Sequence, residues 1–353
     1  MINEPVKGRG AAFNPPNRFE QFHVEPVDIG WDDRDQASSV RTEFFRDTSR
    51  SILARNDSPD IPFTFSINPY RGCEHGCIYC YARPSHEYLG FSSGLDFETR
   101  ILVKTDAPAL LEKEFRKKSW EPQLIAFSGN TDCYQPAERK LMLTRKCLEV
   151  CAGYRNPVGI ITKNSLVTRD IDILKQLAAV DCVSVTVSVT TLNQTLASAM
   201  EPRTSAPYRR LETIEALAKE GIPVTALVAP IIPGLTDEEM PAILRAASER
   251  GARWAGYTLL RLPGSVEQLF INWLEREMPD RARKILNRLR DAHGGRLGDS
   301  RWGKRMRGDG EYAAAVRKLF SVTCAKYRMN TERSELSTRH FRRDGGRQTD
   351  MFE

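Results

Sequence analysis

The sequence predicts an α/β fold in which six parallel strands form a partial TIM-type (β/α)6 barrel. Six short runs rich in β-branched residues alternate with helical patterns, as is typical of parallel strands joined by right-handed crossovers. Polar residues follow several strand ends, where ligands gather in such sheets. The predicted strands are 63–67, 123–128, 158–162, 183–189, 224–229 and 255–261, and the predicted helices between them are 107–118, 137–152, 170–179, 208–220 and 237–250.

The ends of these helices carry the expected signals. Helix 208–220 is followed by Gly221 and then by Pro223, which favour a helix stop. Thr236 precedes helix 237–250 and supplies a hydroxyl for its first turn. The sequence therefore carries helix start and stop signals where the alternation of strands and helices requires them.

Four regions differ in composition. Residues 1–60 are polar and predict an extended leader, and residues 61–265 hold the predicted barrel. Residues 266–329 predict a helical, basic extension with helices at 266–274, 281–290 and 311–328. Residues 330–353 have few apolar positions and predict a flexible tail.

The composition limits the class of protein. The 353 residues are 41% hydrophobic, enough for a sizeable core, and no run of 18 apolar residues predicts a membrane span. The first residues lack the pattern of a signal peptide, so a cytoplasmic, reducing location is expected. Eight cysteines in that setting indicate metal binding or catalysis rather than disulfides.

A loop after the first predicted strand carries three of the cysteines. Cys73, Cys77 and Cys80 have the spacing C-x3-C-x2-C, and Gly72 and Gly76 relax the backbone between them. Three thiolates leave one corner of a four-iron cube without a protein ligand, and that corner can bind a substrate or cofactor. The spacing therefore predicts an iron–sulfur centre with one open iron.

Two other interpretations of the loop remain open on the residues alone. A zinc site would use His75 or His86 as its fourth ligand, and the cysteines would otherwise be structural thiols. The cysteines far from the loop are interpreted as packing residues: Cys147, Cys151, Cys182 and Cys324.

The loop is the first of several motifs that together resemble the radical S-adenosylmethionine (radical SAM) superfamily. Tyr79 precedes the third cysteine, 132–136 reads Asp-x-Tyr-Gln-Pro, Lys163 follows the third strand, and 229–233 reads Ala-Pro-Ile-Ile-Pro. In this order they resemble the branch that contains spore photoproduct lyase and the DNA repair photolyase-like proteins, over roughly residues 60–265. The leader is also similar to an uncharacterised bacterial subgroup.

The resemblance implies that the three cysteines hold a [4Fe-4S] cluster whose fourth iron binds S-adenosyl-L-methionine. An electron from a donor such as flavodoxin or ferredoxin would then yield a 5′-deoxyadenosyl radical, which takes a hydrogen atom from the substrate. For the lysine and serine among the implied contacts, a solvated or capping role is the alternative. The implied cofactor contacts are Tyr79, Gly129, Asn130, Thr131, Lys163, Ser188, Arg210 and Ala229.

Cys133 is a candidate catalytic residue. It lies just past the second predicted strand, on the expected active-site face. The resemblance implies that a cysteine in this stretch returns a hydrogen atom to a product radical, although many relatives carry proline here. The alternative is a small buried hydrophobic residue, the usual state of a free cysteine.

A basic run near the C-terminus is a candidate nucleic-acid contact. Residues 281–309 hold ten Lys and Arg against three Asp, a net +7, whereas the whole chain carries +6. Cations neutralise phosphates and an aromatic ring stacks on a base, but a solvated helix face with a basic loop is the alternative. The candidates are Arg301, Trp302, Lys304, Arg305 and Arg307.

The last residues resemble a peptide that binds the replication sliding clamp. Gln348, Met351 and Phe352 match the pattern Q-x-[SD]-[LM]-F, in which the apolar pair enters a pocket and the glutamine makes a polar contact. A sliding clamp is thus a possible partner.

Together these features predict a radical SAM enzyme that acts on nucleic acid, in lesion repair or base modification and with a lyase-like reaction. One alternative is a radical SAM enzyme acting on a peptide or a small metabolite. The other is a nucleic-acid module that binds zinc or a cluster and performs no radical chemistry.

Overall fold

The computed structural model describes residues 4–19, 40–332 and 335–345, and its centre is the parallel sheet that the sequence predicts. Each of the six predicted parallel strands is present within a few residues of its expected position. The strands are β1 (Glu43–Arg46), β2 (Leu53–Arg55), β3 (Phe65–Ile67), β4 (Tyr70–Arg71), β5 (Arg100–Val103), β6 (Ile125–Phe127), β7 (Val158–Thr162), β8 (Val183–Ser188), β9 (Val224–Ile231) and β10 (Trp254–Leu259).

The main sheet has the order β10-β9-β8-β7-β6-β3-β2. Neighbours from β3 to β10 are parallel, with Ile125 beside Val158 and Val158 beside Val183. The predicted α/β class and its parallel strands are therefore confirmed. The edge strand β2 runs antiparallel to β3, and β1, β5 and β4 form a second, small sheet. The sequence missed β1 and β2 because both are short, and β1 is exposed along its whole length, so neither shows an alternating apolar pattern.

The helices cover the sheet in the expected order. They are α1 (Leu95–Thr99), α2 (Ala107–Arg116), α3 (Glu138–Leu141), α4 (Leu143–Tyr154), α5 (Ile171–Ala178), α6 (Gln194–Met200), α7 (Pro207–Lys219), α8 (Met240–Ser248), α9 (Val266–Glu277), α10 (Pro279–Ala292) and α11 (Gly310–Lys326). The single helix predicted at 137–152 is divided into α3 and α4, because Met142 has a left-handed φ of 53° that cannot continue a helix.

The core lies between the sheet and these helices. In β7, Val158 and Ile160 are fully buried, and on α5 the adjacent Leu174 and Leu177 are buried against the same cluster. Burying one such side chain contributes about 1.5–3 kcal/mol. The alternation along the strand and the helical spacing on α5 thus meet in one core.

The segments at both ends of the chain pack more closely than the sequence predicts. The leader crosses the cysteine loop so tightly that a Cβ at Gly10 would lie 1.8 Å from the carbonyl oxygen of Gly76. Helix α11 packs against α8 and α10, so the helical extension continues the barrel wall.

Residues 335–345 form a strap, which differs from the predicted flexible tail. The Arg342 N–H donates to the Tyr154 carbonyl at 2.8 Å, and the Ser337 N–H donates to the Asp181 carbonyl at 2.8 Å. The Phe341 ring packs against Tyr154, 6.2 Å between centroids. Tyr154 and Asp181 precede β7 and β8, so the strap lies at the amino ends of the strands, opposite the cysteine loop. No helix in the part of the chain described here is long and apolar enough to cross a membrane.

Candidate active site

The three predicted cluster ligands lie in one loop after β3 and the short β4. Cys73, Cys77 and Cys80 all line a cavity of about 400 Å³ at the carboxyl ends of the parallel strands. Gly72 and Gly76 have φ angles of 81° and 68°, which glycine adopts without steric cost. These two residues let the chain turn around the cysteines.

The arrangement of the sulfurs fits a cluster better than a single ion. Burial raises the pKa of all three thiols, so binding a metal must displace their protons. Among the described residues, no three His, Cys, Asp or Glu side chains form a group that could hold one metal ion. Zinc needs its ligands at about 2.0–2.3 Å from one point, whereas the thiolates of a [4Fe-4S] cluster bind different irons.

The two histidines of the zinc alternative differ in their contacts: both ring nitrogens of His75 have partners, whereas those of His86 are buried without a partner among the described residues. Nδ1 of His75 lies 3.4 Å from the carboxylate of Asp132, and its Nε2 lies 3.2 Å from the Asn164 amide. His86 packs edge-on against Phe97, with 5.6 Å between ring centroids, and burial lowers its pKa to about 4. Its side chain is not part of the cavity lining.

A buried ion pair fastens the cysteine loop to the leader. Nη2 of Arg83 lies 2.5 Å from Oε1 of Glu98, and both side chains are fully buried. Arg83 Nε donates to the carbonyl of Cys77 at 3.0 Å, and Glu98 accepts from the N–H groups of Gly10 and Ala11 at 3.0 and 2.9 Å. Because each partner also has further hydrogen bonds, the cost of burying the two charges is offset.

Residues at the ends of β6, β7, β8 and β9 line one side of the cavity together with the cysteine loop. We call this side the inner wall. The turn after β6 is tight: Ser128 has a φ of 71°, and a Cβ at Gly129 would lie 2.6 Å from the Cβ of Ser66. Only glycine fits there. Seven of the eight predicted cofactor contacts line the cavity, and their roles stay predictions: Tyr79, Gly129, Asn130, Thr131, Lys163, Ser188 and Ala229.

Lys163 is held in place by protein acceptors. Its Nζ donates to the Ala229 carbonyl at 2.8 Å and to the Thr190 hydroxyl at 3.0 Å, and lies 3.3 Å from the Glu201 carboxylate. Burial, and then the charge of Arg210, lower the pKa of Lys163 to about 7. The cation is therefore aimed by the protein before any ligand arrives.

Arg210, the eighth predicted contact, does not line the cavity. Its guanidinium donates to the carbonyl oxygens of Ser205 at 2.7 Å and Ser188 at 3.2 Å and pairs with the buried Glu201 carboxylate. Glu201 also accepts from the Tyr79 hydroxyl. Arg210 thus anchors Glu201, which in turn holds two inner-wall side chains.

Sequence reasoning missed Asp132 as an organising residue. Its carboxylate accepts from the Thr162 hydroxyl at 2.9 Å and from the Lys163 N–H at 2.8 Å. Burial opposes the charge of Asp132, but His75 and the Lys163 N–H hold the pKa of Asp132 below its usual value. Asp132 therefore joins the cysteine loop to the end of β7. Its position just beyond a strand-end glycine was the available signal.

Cys133 does not reach the cavity. It is fully buried within the main core, and its carbonyl accepts from the Thr144 hydroxyl at 2.6 Å. Burial raises the pKa of its thiol well above the ordinary value. The structure thus does not bring the predicted hydrogen donor to the site, and its environment is that of a packing residue.

The opposite side of the cavity, which we call the outer wall, was not predicted. It is formed by Asp60, Tyr81, Arg261 and Met306. The Tyr81 hydroxyl donates to the Gly129 carbonyl at 3.0 Å, and the Arg261 guanidinium lies 5.0 Å from the centre of the Tyr81 ring. Arg261 follows β10 directly, so its place is set by the last parallel strand.

The predicted nucleic-acid residues lie beside the outer wall. Arg305 Nε lies 2.7 Å from the Asp60 carboxylate, and its guanidinium lies 4.1 Å from the centre of the Trp302 ring, which is 56% exposed. Arg301 pairs with Asp299 and Lys304 with Asp309, while Arg307 lies over the Tyr257 ring. Part of the predicted charge is thus paired within the run. The predicted clamp residues 348–352 lie outside the described residues.

Comparison with known proteins identifies the family. The model of the radical SAM superfamily matches residues 67–247. An uncharacterized protein of Mycobacterium tuberculosis is 37% identical over 235 residues, 66% of this chain and 68% of the relative. One of Methanocaldococcus jannaschii is 28% identical over 224 residues, 64% of this chain and 80% of the relative.

Solved structures of spore photoproduct lyase share the fold. The complex with dinucleoside spore photoproduct has a TM-score of 0.59 at 17% identity, covering 80% of this chain and 79% of that one. A mutant with bound AdoMet and the same ligand has a TM-score of 0.57 at 16% identity, covering 80% and 78%. The chain therefore belongs to the radical SAM superfamily, whose enzymes use a [4Fe-4S] cluster and S-adenosylmethionine.

Proposed function

We propose that this radical SAM enzyme acts on nucleic acid, in a lyase-like repair or modification of a base. The observation that carries the proposal is the position of the basic run at the mouth of the cavity. Met306, inside the run, lines the cavity, and Asp60 accepts from the Gly303 N–H and from Arg305 at 2.7 Å each. A strand held by the run would therefore lie beside the site of chemistry.

The chain's own residues divide the work within the cavity. Cys73, Cys77 and Cys80 would hold the cluster, which with S-adenosylmethionine supplies hydrogen-atom abstraction when bound. Lys163, already aimed by its acceptors, would pair with the carboxylate of the methionine moiety. The leader, fastened through Glu98, covers the back of the cysteine loop and shields it from water.

The exposed ring of Trp302 supports a nucleic-acid ligand. The guanidinium of Arg305, which is paired with Asp60, lies 4.1 Å from the centre of this ring and holds it, so the indole offers a fixed flat surface on which a base can stack. The solved spore photoproduct lyase structures, which carry a dinucleoside ligand, have the same fold, and this is consistent with the proposal. A peptide or a small metabolite remains the alternative substrate.

Salt-dependent binding tests the proposal. Fluorescence anisotropy with a single-stranded oligonucleotide should give log Kd rising with log salt, by about 0.7 for each phosphate contacted. The triple variant Arg301→Gln, Lys304→Gln, Arg307→Gln should lower that slope by about 2, since three contacts are removed. Arg305 is left intact because it holds Asp60.

A matched control removes three exposed cations from α5 and α7: Lys175→Gln, Arg209→Gln and Lys219→Gln. This variant should keep the wild-type slope. No binding by the wild-type chain, or equal slopes for both triple variants, would overturn the nucleic-acid proposal and favour the metabolite alternative.

The proposed reaction needs a one-electron donor, and a flavodoxin or ferredoxin suits this role. The clamp-type peptide Gln348–Phe352 remains a prediction from the sequence. The strap that precedes it packs at the amino ends of the strands, so a partner held there would lie on the face opposite the cavity.

A further inference from the structure

Among the cations that line the cavity, Arg261 differs from Lys163 in having no protein acceptor. Lys163 is surrounded by the Ala229 carbonyl, the Thr190 hydroxyl and the Glu201 carboxylate. The guanidinium of Arg261 has, within the described part of the chain, no hydrogen bond or ion pair, only the face of the Tyr81 ring at 5.0 Å. Five N–H donors therefore remain for a ligand.

The nearest carboxylate does not neutralise Arg261. Asp60 uses one oxygen to accept from the Gly303 N–H and the other to pair with Arg305, each at 2.7 Å. Arg261 is half-buried, and burial, followed by the charge of Arg305, lowers its pKa. Of the two arginines near Asp60, only Arg305 pairs with it, which leaves the charge of Arg261 unpaired at the outer wall.

Partly buried charges in folded proteins normally have partners, because an unpaired charge away from water is costly. A guanidinium presents parallel N–H groups that match the two oxygens of a phosphate or carboxylate. The stacked Tyr81 ring fixes the plane of the guanidinium and so its direction. These features fit the binding of an anionic oxygen pair.

We propose that Arg261 binds an anionic oxygen pair of the substrate at the outer wall, and that this group is a phosphodiester next to the base that reacts. The assignment of the anion to a phosphodiester rests on the proposed nucleic-acid function. In this arrangement Lys163 binds the carboxylate of the cofactor, and Arg261 binds the phosphate of the substrate. Arg261 is therefore a residue that determines specificity.

The experiment compares two ligands that differ in one charge: a dinucleoside monophosphate and its methylphosphonate, whose linkage is neutral. Calorimetric titration uses the full chain with its cluster and S-adenosylmethionine bound. The wild-type chain should bind the charged ligand about tenfold more tightly, as expected for a charge-assisted pair. Arg261→Gln should abolish this preference, and Arg261→Lys should keep part of it.

Arg209→Gln is the matched control, because Arg209 is an exposed arginine of α7 that pairs with Glu212; it should keep the full preference. Since Arg261 makes no hydrogen bond to any residue that the structure describes, Arg261→Gln should also keep the iron content and Tm of the wild-type chain. A tenfold preference that survives in Arg261→Gln, or a wild-type chain without any preference, overturns the subsite.

Oligonucleotide binding separates the two proposals. If the wild-type chain binds oligonucleotides with the expected salt slope but Arg261→Gln keeps the preference for the charged dinucleotide, only the Arg261 assignment fails. If the wild-type chain binds no oligonucleotide, the nucleic-acid function fails, and the phosphodiester assignment fails with it.

Discussion

The inner and outer walls of the cavity treat charge in opposite ways. On the inner wall, Lys163 has three acceptors. On the outer wall, Arg261 faces the cavity without an acceptor among the described residues, and Trp302 is 56% exposed nearby. The inner-wall cation thus has protein partners, whereas the outer-wall cation would pair with the proposed substrate anion.

The difference follows from what each wall would hold. A cofactor that is the same in every turnover favours fixed donors, since preorganised groups need no rearrangement. The proposed nucleic-acid substrate would have to enter and leave, which suits contacts on the more exposed side. The following predictions test this division, from the largest expected effect to the smallest.

Cys77→Ala should abolish the iron–sulfur centre. The other two thiolates cannot hold the cluster alone, so the purified protein should be colourless, with little iron and no 5′-deoxyadenosine formed on reduction. Cys147→Ala is the matched control, because Cys147 is also buried but lies in the main core, away from the cavity, and it should keep both iron and activity. Full cluster content in Cys77→Ala would refute the assignment of Cys77 as a cluster ligand.

Glu201→Ala should destabilise the chain by about 3–5 kcal/mol, because it leaves the buried Arg210 without its counter-charge. Chemical denaturation measures the change in the free energy of unfolding. Glu212→Ala removes an exposed partner of Arg209 and should cost less than about 1 kcal/mol. Similar losses for both variants would show that the inner-wall network is not preorganised as described.

His86 should make the stability of the folded chain sensitive to acid. Burial lowers the pKa of His86 from its ordinary value of about 6.5 to about 4 in the folded chain, so between these two pH values the unfolded chain binds more protons. Stability should therefore fall as pH falls from about 6.5 to about 4, by up to about 3 kcal/mol.

Urea denaturation at several pH values measures this loss. His86→Phe should reduce it, since the ring would remain packed on Phe97 without a titratable group. His340→Gln, which changes an exposed histidine, should keep the wild-type pH dependence. An unchanged profile in His86→Phe would show that the acid sensitivity arises elsewhere.

Trp302→Ala should weaken oligonucleotide binding by about 1–3 kcal/mol through the loss of stacking on a base. The salt slope should stay the same, because no charge is removed. Leu319→Ala, which truncates an exposed side chain of α11, should leave the affinity unchanged. If Trp302→Ala binds as tightly as the wild-type chain, the ring plays no part in the outer-wall surface.

The sequence by itself predicted the sheet and the loop that brings three cysteines to the cavity. Alternation of strands and helices is a local pattern, and so is the C-x3-C-x2-C spacing with its two glycines. Parallel strands bring their carboxyl ends to one edge, so Lys163 and Ser188 were predicted on the cavity side without knowing a single contact. Local periodicity was sufficient for both.

Only the tertiary structure decided which polar residues face the cavity. The sequence predicted that Arg210 and Cys133 face the cavity. In the structure, Arg210 pairs with Glu201 and Cys133 lies in the core. Arg261 belongs to no sequence motif. It is a candidate anion contact only because Asp60 is already paired with Arg305. The Asp60–Arg305 pair joins residues 245 positions apart in the chain, and the burial of Cys133 depends on side chains from several elements of the main core, so no local pattern records either.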